Sequence, residues 1–212
     1  MEVRELRPRL WYWTARHPEW TPEDGGDDGW EPDVGCYSYV SPAGDELVLL
    51  DPLVPSEPED ADRFWSALDD DVEHHGAPHV LITIYWHVRS APEILQRYDG
   101  ARLWAFAPSA DEVAKRTTVT HTFADGDTLP AGIEARGVGP EALFWVPEHR
   151  GLVIGDAMAA APGKPVRVWS GGDTTREAVR PLLELPVELV LLTHGEPVLE
   201  RGRDALAAAL EF

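Results

Sequence analysis

His79-Val80-Leu81-Ile82-Thr83-Ile84-Tyr85-Trp86-His87-Val88-Arg89 begins as a short, continuous apolar run and turns polar at its far end. The run lies between the turn signals Gly76-Ala77-Pro78 and Ser90-Ala91-Pro92, and residues 79–84 read as a strand buried on both faces. Three other stretches share the pattern: Leu49-Leu50-Asp51-Pro52, Val153-Ile154-Gly155-Asp156 and Leu191-Leu192-Thr193-His194-Gly195-Glu196-Pro197. Each places a polar or charged residue directly after an apolar strand. Ligands in layered α/β proteins gather at the carboxyl ends of such strands, so a site is expected where these four ends meet.

Outward from these runs, strands and helices alternate. Residues 8–13 read as an opening strand, 37–40 and 46–50 as two more, and 102–107 as another. Residues 19–33, rich in Asp, Glu, Gly, Pro and Trp, form a long acidic surface loop. Ala61, Phe64, Trp65, Leu68 and Val72 recur at helical spacing and give one apolar helix face. Ser90 with Glu93, and Ser109 with Glu112, have the spacing of capping boxes that open short helices. Short strands joined by turns occupy 117–154, a helix covers 175–185, a buried strand 187–192 and a last helix 201–210. Two mixed sheets with helices outside accommodate this order, as do other α/β layouts.

The chain has 212 residues, enough for one large domain over 1–212. Its 38 acidic against 18 basic residues give a formal charge of −20, which disfavours nucleic acid and anionic membranes as partners. The run of about 20 apolar residues that a membrane helix needs is missing. The charged first residues do not read as a secretory signal, so a cytoplasmic protein is expected. The one cysteine, Cys36, excludes a disulfide framework and sits in an apolar stretch as a buried thiol.

Over roughly residues 8–200 the order of motifs resembles the metallo-β-lactamase superfamily. The carriers are Asp51-Pro52, Leu81-Ile82-Thr83 before the 90–98 helix, Phe123-Ala124-Asp125-Gly126-Asp127, the hairpin running into Gly155-Asp156, and His194-Gly195-Glu196-Pro197. The resemblance implies a four-layer αββα sandwich and, as ancestral chemistry, metal-dependent hydrolysis. The chain departs from it where the metal should bind. Ile84, Trp86, Val88 and Arg89 stand where the family has His, His, Asp and His, and Gly137 or Val138 replaces a further His. Of the ligand set only Asp156 and His194 remain, and neither aliphatic side chains nor a guanidinium offers a lone pair.

The reading that follows is a degenerate, metal-free member of the fold. It would bind a small molecule or serve a non-catalytic role, with no cofactor, in a cleft lined by Trp86, Arg89, Asp51, Trp20 and His17. Arg89 is expected to pair with Asp156 in place of the ion, and residual acid–base chemistry would use His194 or His87 with Asp156 as orienter. For His87 a backbone-bonded loop position is the simpler expectation. The alternative turns it inward and builds, with Asp156 and His194, a site for one zinc or other divalent ion and an atypical mononuclear hydrolase. Among nine tryptophans, Trp13, Trp20, Trp30 and Trp86 are candidates to line the pocket, and Trp65, Trp104 and Trp145 to fill the core.

Overall fold

The computed structural model describes residues 1–26 and 29–211; Asp27 and Asp28 of the acidic loop, and Phe212, lie outside the described residues. One sheet runs β1 (Val3–Arg7), β2 (Leu10–Arg16), β3 (Asp33–Val40), β4 (Leu47–Leu50), β5 (His79–Leu81), β6 (Arg102–Phe106) and β7 (His121–Phe123) in spatial order. Its first four strands are antiparallel, and β4 to β7 are parallel. The second sheet has β8 (Glu134–Val138), β9 (Glu141–Val146), β10 (Gly151–Ile154) and, after the small ribbon β11 (Met158–Ala159) and β12 (Arg167–Val168), β13 (Leu189–Leu192). Its order is β13-β10-β9-β8, with β10 and β13 parallel.

The two-residue period of a strand sorts side chains between faces. In β4, Val48 and Leu50 enter the core between the sheets, while Leu47 and Leu49 face outward. That outer face packs on helices α1 (Pro58–His75), α2 (Ala91–Arg97) and α3 (Ala110–Ala114) through Phe64, Leu68, Ile94 and Val113. In β13, Leu189 and Leu191 point inward, and Val190 and Leu192 meet Val179 of α4 (Gly172–Val179) and Leu206 of α5 (Gly202–Ala209). Three apolar layers therefore separate four structural ones, the αββα arrangement expected from the sequence. Among the described residues, no helix is long and apolar enough to cross a membrane.

Local departures have local causes. The opening strand is two strands, β1 and β2, turned at Arg9, whose φ is +67°. The strand expected over 79–84 ends at Leu81, because the Thr83 amide donates to the Asp51 side chain instead of a neighbouring strand. Neither expected capping box forms. Ser90 Oγ accepts the Val54 amide, and Ser109 Oγ donates to the Phe106 carbonyl. The 175–185 helix is α-helical only to Val179, then tightens into a 3₁₀ turn around Pro181, which has no amide hydrogen to give.

The sheets are clasped beside the strand ends. Tyr37 Oη donates to the Leu192 carbonyl at 2.6 Å, and the Gly35 amide donates to the Thr193 carbonyl at 2.8 Å. A Cβ on Gly35 would sit 2.7 Å from the Leu192 carbonyl oxygen, so the clasp closes only on glycine. Tyr37→Phe should lower stability by roughly 1–3 kcal/mol, the cost of an unmet buried acceptor, and Gly35→Ala by a similar ~1–3 kcal/mol from overpacking. Guanidinium unfolding midpoints unchanged in both variants would contradict the clasp.

Candidate metal centre

The two parallel pairs, β4–β5 and β10–β13, direct their carboxyl ends to one rim between the sheets. Asp51 follows β4, Thr83 and His87 follow β5, Asp156 follows β10, and His194 follows β13. Sequence patterning puts a site at these ends, and there these side chains meet.

Asp51 is the floor. It is fully buried and held at a left-handed φ of +48°. Its Oδ1 accepts the Thr83 amide at 2.8 Å, and Oδ2 accepts Thr83 Oγ1 at 2.6 Å and His87 Nδ1 at 2.9 Å. With its proton on Nδ1, the His87 ring presents Nε2 to Asp156. Gly155 makes this closeness feasible, since a Cβ there would lie 2.3 Å from Thr83 Oγ1. Its amide donates to Oε1 of Glu141, a buried side chain on β9. Gly195, at φ +125°, is equally constrained: a Cβ would stand 2.3 Å from the Ala160 carbonyl, while the Ala160 amide holds the His194 carbonyl.

Asp156 Oδ1 lies 3.1 Å from Nε2 of His87 and 3.1 Å from Nε2 of His194, yet it is buried and neither nitrogen is aligned to hydrogen-bond it. Its Oδ2 is occupied by the indole N–H of Trp86 at 2.6 Å. Ligand atoms of His87, Asp156 and His194 all fall within 4.8 Å of one another. Close approach without donor–acceptor alignment is what groups aimed at a common point, rather than at each other, produce.

The electrostatics follow the burial. Burial alone would raise the Asp156 pKa, but His87 and His194 hold it well below the usual carboxylate range. Burial pushes the His194 pKa down to about 4, so at neutral pH its ring is uncharged. For His87, burial and the Arg89 cation act downward, and the Asp51 and Asp156 carboxylates outweigh them; its pKa stands above the ordinary 6.5. Glu141 is raised well above the ordinary carboxylate value, by burial first and then by the Asp156 and Asp51 charges. Cys36 is a sealed thiol, pushed up to about 11 by burial.

Several expectations are corrected. The His87 imidazole is not bonded to backbone; the residue is 2% exposed and its ring is turned inward onto two carboxylates. No Arg89–Asp156 ion pair forms. The guanidinium donates through Nη1 to the Asp51 carbonyl at 2.9 Å, and its Nη2 lies 3.3 Å from His87 Nε2. Arg89 itself has an unusual backbone, φ +41° and ψ −120°. Asp51 lies beneath the site and does not line it. Trp13 is core, its N–H given to the Leu53 carbonyl. Trp20 does not reach the cleft but braces Trp30, donating to its carbonyl at 3.0 Å.

A cleft of about 870 Å³ opens above the cluster, lined among others by His17, Trp30, Trp86 and Arg89, and by Arg16, Arg116 and Trp169, which carried no signal in the sequence. Trp30 meets the His194 ring edge-on at 5.0 Å and Trp169 lies 4.8 Å from it, so indoles flank that histidine. Glu141 was also missed: in Gly139-Pro140-Glu141 it has the look of a surface turn residue.

No family model matches the chain, and no curated protein does. Solved structures do. A metallo-β-lactamase from Pontibacter korlensis superposes with a TM-score of 0.71 at 15% identity, over 99% of this chain and 98% of that one. The metallo-β-lactamase FIM-1 from Pseudomonas aeruginosa, in a mono-zinc form, gives 0.65 at 13% identity over 99% and 94%. A metallo-β-lactamase family protein from Thermus thermophilus gives 0.67 at 14% identity over 98% and 78%. At such identities the likeness is one of architecture, and on that ground the chain is a protein of the metallo-β-lactamase fold.

Proposed function

We propose that the protein is a hydrolase with a single divalent metal ion held by His87, Asp156 and His194. The observation that carries this reading is the buried Asp156 Oδ1, unsatisfied between two imidazole nitrogens at 3.1 Å. Two histidines and a carboxylate make a donor set that zinc accepts in catalytic sites. A bound ion there supplies a Lewis acid and a water of lowered pKa. The remaining work belongs to the chain. Asp51 keeps the proton on His87 Nδ1, the arrangement that orients and strengthens a histidine ligand. Trp86 takes Asp156 Oδ2 and leaves Oδ1 alone to face the histidines. Trp30 and Trp169 hold the His194 ring and shield it from bulk water.

One observation favours a metal-free reading: Arg89 Nη2 stands 3.3 Å from the same His87 Nε2 that a metal would need. In that reading His87, held by Asp51 through Nδ1, turns Nε2 toward Arg89 and Asp156, and the cleft binds a small molecule, with His194 as the neutral base for any acid–base step. Elemental analysis separates the two. Protein purified without chelator should carry about one equivalent of zinc, iron or manganese, as a three-donor site implies, and His87→Ala or Asp156→Ala should lose it with the fold intact by circular dichroism. Metal-free wild-type protein that also fails to take up added zinc would leave the metal-free reading standing.

Trp86→Phe removes the hydrogen bond that orients Asp156, and zinc affinity should fall about 10- to 100-fold, the usual effect of losing an outer partner of a ligand. Equal affinity in a competition titration against a chelating dye would remove Trp86 from the site's design.

Protons compete for His87. Its raised pKa means that zinc affinity should weaken as pH falls through the region above and around 6.5. In apo protein His194 acts with the opposite sign to His87. Its pKa is lowered from 6.5 to about 4, so its contribution to stability is full above the unfolded value and is lost as pH falls between the two. The His87 contribution is present below 6.5 and is lost as pH rises through its raised value. Calorimetric titrations of zinc at several pH values would show a flat affinity if His87 were not a ligand.

A further inference from the structure

The cleft's arginines identify what it accepts. Among the described residues, eight arginines pair with carboxylates. None of the three on the cleft does so: Arg16, Arg89 and Arg116 lie outside ion-pair distance of every carboxylate among the described residues. Arg89 is engaged with the Asp51 carbonyl at the base. Arg16, at the end of β2, lies over the Trp20 ring at 5.3 Å, and Arg116, just beyond α3, over the Tyr85 ring at 5.5 Å. A guanidinium supported on its face by an aromatic ring keeps its in-plane N–H groups available, in the fork that matches a carboxylate, sulfonate or phosphate.

Charge distribution points the same way. With a formal charge of −20 the protein repels anions generally. On the cleft, three arginines stand against three carboxylates, Glu19, Glu93 and Asp156, and the last gives Oδ2 to the Trp86 indole and turns Oδ1 toward the two histidines. The cleft is therefore a locally neutral opening in a negative surface, with its cations unspent. The indoles of Trp30, Trp86 and Trp169 line the same cleft, and Trp86 is 40% exposed.

We infer that the cleft takes a planar or apolar molecule bearing one anionic group, the anion gripped by Arg16 and Arg116 and the apolar body laid on the tryptophans. This deepens the hydrolase reading and rests on it only for the bond that is cleaved; anion recognition by the arginines needs no metal. The test uses two fluorescent probes of one ring system, 8-anilinonaphthalene-1-sulfonate and its uncharged analogue N-phenyl-1-naphthylamine. They are titrated into full-length protein, both metal-loaded and chelator-treated.

The sulfonate should bind more tightly than the neutral probe in both preparations. Arg16→Gln and Arg116→Gln should each weaken it about threefold to tenfold, as loss of one charge-assisted contact does, and leave the neutral probe unmoved. The double variant should abolish the preference. Equal binding of the two probes, or a preference that survives the double substitution, overturns the inference. A preference seen only with metal present also overturns it, since the ion and not the arginines would then be the anion's partner. Failure of the protein to bind any metal would instead refute the hydrolase reading and leave this test unaffected.

Discussion

A carboxylate sealed from water is destabilising by roughly several kcal/mol unless its oxygens are occupied. Asp51 is such a group, and every one of its bonds has a structural consequence. Its hold on the Thr83 amide ends β5 early, and the chain then turns sharply enough to bring His87 under the cleft. Its contact with His87 Nδ1 decides which nitrogen faces Asp156. Its carbonyl receives Arg89, and the Pro52 carbonyl receives the Ser90 amide, so the segment after β4 and the segment after the turn are fastened together. The acid survives burial because His87, Arg89 and Thr83 keep its pKa below the ordinary value against the effect of burial.

Charge in the centre comes in two balanced versions. With His87 protonated, two cations, His87 and Arg89, face two anions, Asp51 and Asp156. Were a divalent ion held there, as proposed, His87 would be neutral and the ion would supply the charge that the proton gave up. The switch between them is at a single nitrogen, His87 Nε2, which Arg89 and Asp156 both approach. Trp86 has a clear part in either version. An indole N–H offers one hydrogen bond and no lone pair, so its place on Asp156 Oδ2 withholds that oxygen from any second cation.

Much of the architecture was legible because it depends on pattern. Alternation in β4 and β13 and continuous apolar runs ending in polar residues are properties of sequence spacing, and they located the four strand ends that build the centre. The interior of the turn was not legible. A strict register from Thr83 puts Ile84, Trp86, Val88 and Arg89 in the family's ligand positions and leaves His87 between them. The 3₁₀ turn at Tyr85–Val88 breaks that register, and its His87 is held by a side-chain bond to Asp51, 36 residues away. Glu141, Trp169 and Arg116 were hidden for a related reason: their neighbours are distant in sequence, and their local contexts, like that of Arg16 beside Trp20, are those of ordinary turn or surface residues. The capping boxes erred in the opposite direction, since Ser90 had a better partner in Val54 than in its own helix.

Gly195 bears on how variation in this protein is to be interpreted. It touches no ligand and carries no chemistry, yet the Ala160 carbonyl occupies the space where any side chain would begin. A replacement must separate the β11 ribbon from the loop that carries His194, so poorly folded sequences recovered from a random library will include changes at this backbone position. In such a survey Gly195 would score with the side chains of the centre on intolerance alone. The distinction lies in the remedy: a defect of crowding is relieved by trimming what it collides with, but a missing imidazole has no such compensation.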